Sequence, residues 1–255
     1  MDALAHQPVP DPLEQHNLRE IEALNQRGGR TLSLVDLIHA ETLSPEVAGF
    51  LLWRVAHGAS FLTGAVPGGA GKSTLLANLL AMLPPGERIV TTPDDAAVRL
   101  ALRQTPRAGR CYLCHEIGVG HWYGYLWGTT VGRFAQLRDA GGRIAGCLHA
   151  DDPAQLRSIL LSPTLGVTPE ALAGVEVLLF MAYQGSRVVR SVWVADGEGD
   201  HALAYRHGEA LRVPEGLDEA SAPTLAECLG FIARLLEGPA RLFEEVRREV
   251  VAFYA

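Results

Sequence analysis

The segment Gly64-Ala65-Val66-Pro67-Gly68-Gly69-Ala70-Gly71-Lys72-Ser73-Thr74 constrains the fold of this chain more than any other. It follows a short β-prone stretch, Ala59–Thr63, and leads into a helix-forming run from Ser73 to Met82 that Pro84-Pro85-Gly86 stops. A glycine-rich turn between a strand and a helix lets successive backbone N–H groups converge on an anion, and the helix N-terminus adds partial positive charge. Gly68, Gly69, Ala70, Gly71, Lys72, Ser73 and Thr74 are therefore the expected phosphate cradle. Lys72 would reach the β- and γ-phosphates of a nucleotide, and the Ser73 hydroxyl would ligate Mg²⁺. One position departs from the usual spacing, which asks for glycine at 66. Val66 stands there, and the nearest upstream glycine is Gly64, so a loop two residues longer is expected. The competing reading is a glycine-rich turn with a chance Gly-Lys-Ser.

The surrounding pattern supplies the fold class. Strands are expected at Arg88–Thr92, Arg110–Ile117, Arg143–His149 and Val175–Ala182, the last forming a hairpin with Arg187–Ala195. Helices are expected before the loop, at Leu32–Ile38 and Val47–Val55, and after it at Ala96–Gln104 and Tyr123–Ala140. Alternating strands and helices predict an α/β fold, a RecA-like P-loop core with a mostly parallel sheet covered on both faces. Residues 1–30 read as a flexible arm with one short helix over Asp11–Asn25, residues 31–196 as the core, and residues 197–255 as an appendage. The appendage holds a hairpin over His201–Arg212 and two amphipathic helices, Leu225–Leu236 and Ala240–Phe253.

A net charge of −7 removes any bulk attraction to nucleic acid or anionic lipid. The chain shows no transmembrane segment and no signal peptide, so cytoplasmic residence is the expectation. The four cysteines suit a reducing compartment. Cys111-x-x-Cys114-His115 has the spacing of a haem attachment motif, but on a buried strand positions 111 and 114 face opposite ways, so ordinary buried thiols are expected. The aromatic run His121-Trp122-Tyr123 … Tyr125-Leu126-Trp127 reads as packing or a subunit contact before base stacking.

From Thr31 onward the chain resembles the ATPases of type II and type IV secretion systems, most closely the archaeal pilus and flagellum motor branch. The resemblance is carried by Leu34-Val35-Asp36-Leu37-Ile38, Leu43-Ser44-Pro45-Glu46 and Gly58-Ala59-Ser60 before the loop. After it come Glu87–Asp94 (an acidic box), Ala101–Pro106 with His115-Glu116-Ile117 (the Walker B region), Cys147–Asp151 (a histidine box) and the last helix through Tyr254. It implies an ATP- and Mg²⁺-binding protein in which Glu116 holds the Mg²⁺ shell or polarises water, His149 senses the γ-phosphate, and Ser73, Glu116 and Asp94 form the metal site. Each has a plainer reading: a strand-end carboxylate for Glu116, a packing or capping histidine for His149.

The departures shape the functional expectation. Pro93 replaces the glutamate of the acidic box, so Asp94 or Asp95 must serve. The arginine usual after Walker B is missing, and Trp127–Thr130 with Arg133–Arg143 replace a Thr-Gly-His element. The resemblance also implies a large N-terminal domain that covers the nucleotide and supplies arginines. About 60 residues precede Gly64, so an open nucleotide site, slow turnover and no stable hexamer are expected. The functional expectation is a slow Mg-dependent ATPase related to secretion and pilus motors, with a homo-oligomer or a membrane-assembly protein as partner. The alternative is a nucleotide-sensing regulatory protein with little or no hydrolysis. A guanine-nucleotide protein is disfavoured, because no Asn/Thr-Lys-x-Asp motif is present.

Overall fold

The computed structural model of the chain describes residues 11–26, 28–66, 68–104, 108–214 and 223–255. The first ten residues of the expected arm, Pro67 of the loop, and Thr105 and Pro106 of the resemblance lie outside them. Ten helices and eight strands are defined among the described residues. Before the loop come α1 (Pro12–Glu22), α2 (Leu34–His39), α3 (Pro45–Ala56) and β1 (Phe61–Gly64). Then follow α4 (Lys72–Leu80), β2 (Arg88–Thr91), α5 (Asp95–Arg103), β3 (Arg110–Ile117), β4 (Tyr125–Leu126) and α6 (Thr129–Ala135). The rest comprises β5 (Arg143–Leu148), α7 (Pro153–Leu160), α8 (Pro169–Ala173), β6 (Val177–Tyr183), β7 (Arg187–Ala195), β8 (His201–Arg206), α9 (Leu225–Glu237) and α10 (Phe243–Phe253).

One sheet runs in the order β2-β3-β5-β1-β6-β7-β8, with β4 joined to β3. The pairs β2–β3, β3–β5, β5–β1 and β1–β6 are parallel, whereas β7 and β8 extend the sheet antiparallel. Alternation along the strands feeds two cores. In β5, Ile144 and Leu148 face one core while Ala145 and Cys147 face the other; in β6, Leu178 and Phe180 oppose Leu179 and Met181. Helices α3, α4, α9 and α10 close one side with Phe50, Leu51, Leu75, Phe231 and Val250. Helices α5 to α8 close the other with Val98, Phe134, Leu156 and Leu172. This is the expected α/β architecture, RecA-like in setting β5 between the loop strand β1 and β3. Such sheets bind ligands beyond the carboxyl ends of their strands. No helix among the described residues is long and apolar enough to cross a membrane.

Three local expectations change. The front segment is attached to the sheet: Asp11 caps α1, Ile21 and Leu24 are buried, and the buried Asn17 amide reaches β2. Asn17 Nδ2 donates to Glu87 O at 2.8 Å, Asn17 Oδ1 accepts from Ile89 N at 2.9 Å, and His16 Nε2 lies 2.9 Å from Ile89 O. The expected helix Tyr123–Ala140 is split. Gly124 and Gly128 take positive φ (79° and 67°), Tyr125 and Leu126 pair with Glu116 and Ile117, and only Thr129–Ala135 is α-helical. The C-terminal region is also continuous with the core. β8 pairs with β7, the expected hairpin keeps only its first arm as a strand, and α9 and α10 contribute Cys228, Ile232 and Val246 to the core of α3.

Candidate functional site

The loop leaves β1 and enters α4 through Gly71, whose φ of 102° and ψ of 8° only glycine adopts without strain. No side chain caps α4. Among the described residues, no recorded hydrogen bond uses the N–H groups of Gly68 to Thr74. An uncapped nine-residue helix with a run of unoccupied amides before it presents the donors that an anion would need. Gly64, from which the loop departs, is tightly packed. A Cβ there would lie 2.5 Å from Ala150 O, so it is a packing glycine at the end of β1. Val66 is anchored by its N–H, which donates to Asp151 Oδ1 at 2.8 Å.

Lys72, at the first turn of α4, is buried. Its Nζ lies 3.4 Å from Ala65 O, 3.4 Å from His149 Nδ1 and 3.9 Å from Glu116 Oε1. Glu116, near the end of β3, is buried too, and its Oε1 has no hydrogen-bond partner. Burial pushes its carboxyl above the usual range, while Lys72 and then His149 pull it back. His149 follows β5 with its ring half exposed; Nδ1 is 3.2 Å from both Ala65 O and Val66 O, and Nε2 is 3.6 Å from Glu116 Oε1. Lys72, Glu116 and His149, predicted from separate segments, thus converge above the strand ends.

The cavity they face measures about 370 Å³ and is also lined by Gly68 to Thr74, Tyr125 and Arg187. Its other wall comes from the front segment: Ile21, Leu24, Asn25, Gln26, Arg30 and Leu32. The front segment thus lines the side of the site that was expected to stand uncovered.

His115 lines the cavity as well, although it neighbours Glu116 on one strand. A register shift against β5 between Cys114 and Ile117 makes this geometry available, as bulges re-aim side chains near sites. Its ring meets Tyr123 edge-on at 5.4 Å, Nδ1 is 3.4 Å from Gln26 Nε2, and burial lowers its pKa to about 4. Cys111 and Cys114 fall in opposite cores, as the period of two demands, and burial raises both thiols. Of the aromatic run, Trp122, Tyr123 and Trp127 are exposed, while Tyr125 lines the cavity.

Asp94 does not join the cluster. Its Oδ1 accepts from Ala97 N at 2.8 Å as the cap of α5, and it does not line the cavity. Asp95 binds Arg99, Thr130 and Arg133, which hold its carboxyl far below the usual range. Of the three residues expected at a metal, Ser73 and Glu116 line the cavity and Asp94 does not. His115, Arg187 and the front segment were missed. None carries a local signal, because their link to the loop is made by contacts between residues far apart in sequence.

No family model matches the chain, and no curated protein matches it. Among solved structures it is similar to the VirB11 ATPase from the Brucella suis type IV secretion system, in complex with sulphate. There the TM-score is 0.46 at 15% identity, over 78% of this chain and 66% of that one. It is also similar to the Legionella pneumophila ATPase DotB, with a TM-score of 0.41 at 19% identity, over 84% of this chain and 56% of that one. The chain thus spans about two thirds and just over half of the lengths of these two proteins.

Proposed function

We propose that this chain binds ATP with Mg²⁺ in the 370 Å³ cavity and hydrolyses it slowly, as a cytoplasmic relative of secretion and type IV pilus motor ATPases. The observation that carries this is the convergence of Lys72, Glu116 and His149 on the unoccupied amides of the loop. The Walker A amides from Gly68 to Thr74 would take the phosphate chain, and Lys72 Nζ would exchange Ala65 O for β- and γ-phosphate oxygens. Ser73 and Glu116 suit Mg²⁺: an orphaned buried carboxylate oxygen is a ready acceptor, and Mg²⁺ usually takes few protein ligands beside phosphates and water. Bound there, the ion would neutralise charge developing on the phosphates. Glu116 would orient the attacking water, and His149, half exposed at the loop, would meet the γ-phosphate end. A homo-oligomer or a membrane-assembly protein is the partner that fits this reading.

The alternative, a nucleotide sensor with little hydrolysis, is favoured by one feature. The Asp94 carboxylate is occupied as a helix cap, which leaves Glu116 the lone carboxylate lining the cavity among the described residues. Steady-state hydrolysis across a range of protein concentrations, with Lys72→Ala and Glu116→Gln controls, separates the two. Motor-type chemistry gives turnover that Glu116→Gln lowers about 100-fold while nucleotide binding is kept. Turnover equal in parent and Glu116→Gln would move the catalytic role elsewhere. Binding without turnover would establish the sensor.

A further inference from the structure

Among the described residues two arginines, Arg30 and Arg187, line the cavity, and they differ in one respect. Arg30 is neutralised: its guanidinium forks onto Asp36, at 2.7 and 3.0 Å. Arg187 has no carboxylate partner among the described residues, in a chain with 29 acidic and 22 basic side chains. It is nonetheless held in place. It opens β7, where it pairs with Tyr183 across a tight turn closed by Gln184 N to Ser186 O at 2.8 Å. Its Nε donates to Gly69 O at 2.8 Å, and its Cδ lies 3.3 Å from where a Cβ on Gly71 would sit. The stem is therefore packed on the phosphate loop and one edge of the guanidinium is anchored to it. The terminal nitrogens have no partner among the described residues.

Resting on the nucleotide reading above, the geometry points to Arg187 as this chain's own phosphate-binding arginine, contributed in cis from the β6–β7 hairpin to the phosphate chain of the nucleotide. An unpaired guanidinium at a loop of open amides is completed electrostatically by an anion, and its planar fork suits phosphate oxygens. Anchoring through Nε removes much of the rotamer freedom that a free arginine would lose on binding. The expectation of a site without a built-in arginine came from the segment before the loop. The arginine comes instead from a strand 115 residues beyond Lys72.

The test uses the whole chain, its Arg187→Ala and Arg187→Lys variants, and Lys72→Ala as a separate control. Affinities for Mg-AMP, Mg-ADP, a non-hydrolysable Mg-ATP analogue and tripolyphosphate are measured by calorimetry. Arg187→Ala should weaken the ATP analogue and tripolyphosphate by about tenfold or more and AMP least, and Arg187→Lys should restore part of the loss. An equal loss for all ligands, or none, overturns the assignment and leaves Arg187 a prop of the loop. A parent chain that binds tripolyphosphate but no nucleotide, with that binding weakened in Arg187→Ala, upholds Arg187 as a phosphate ligand while removing the ATP reading. A parent that binds none of the four removes both.

Discussion

Two buried clusters of charge in this molecule are built in opposite ways. Around Arg143 and Arg247 nearly every donor is used. Arg143 meets Glu87 at 2.6 and 2.8 Å and Val55 O at 2.7 Å, and Arg247 meets Glu14 at 2.8 and 2.9 Å and Ala81 O at 3.0 Å. Around Lys72 the contacts are long, 3.4 to 3.9 Å, and one buried carboxylate oxygen has no partner. A buried charge without full pairing raises the free energy of the empty protein. The first cluster ties α1 and α10 to the turn after α4, and β5 to the end of α3 and to Glu87. The second holds unsatisfied capacity where a ligand can use it.

The contrast can be broken experimentally. The largest effect is expected from Arg143→Ala, which strands Glu87 in the interior and should cost about 3–5 kcal/mol in urea unfolding. Pairing it with Glu87→Gln should return part of that. A loss under about 1 kcal/mol would show the first cluster to be no better satisfied than the second.

Lys72→Ala should behave differently. Without ligand it should change stability by about 1 kcal/mol or less, because the interaction removed is poor. With Mg-ATP at a hundred times its Kd, the parent should gain about 2.7 kcal/mol and the variant almost nothing. A large loss of intrinsic stability in Lys72→Ala would place Lys72 with the structural ion pairs.

The smallest effect belongs to the exposed cluster at Asp95. Arg99, then Thr130 and Arg133, lower the Asp95 pKa below its ordinary value near 3.8. Its contribution is present above that value and fades as pH falls through the aspartate range toward the lower folded pKa. Asp95→Asn should therefore melt slightly below the parent at pH 7, with the gap narrowing as pH falls below 3.8. A gap that persists in acid would trace the effect to packing.

Much of the fold is legible in the sequence because its signals are local. β3 lies at Arg110–Ile117 and β7 at Arg187–Ala195, as alternation and flanking turns predict. The helix expected from Tyr123 failed because the apolar spacing persists across Gly124 and Gly128, whose positive φ values interrupt any helix. Asp94 was misassigned because a cap and a metal ligand are the same residue type in sequence, and only the position of Ala97 N distinguishes them. In the site, Lys72, Glu116 and His149 were recoverable since each follows or ends a strand. Arg187 and Gln26 were not, since their relation to the loop exists only after the sheet has assembled.

The attachment of α1 has a consequence for how these molecules behave in a crowd. β2 is the outermost parallel strand, and its outward amides and carbonyls would invite another chain to add a strand. The side chains of Asn17 and His16 occupy those groups at Glu87 and Ile89, so the edge that parallel pairing would extend is plugged by the protein itself. Assembly by adding a strand at β2 is thereby blocked, and loss of α1 would expose a strand competent for fibre-like growth.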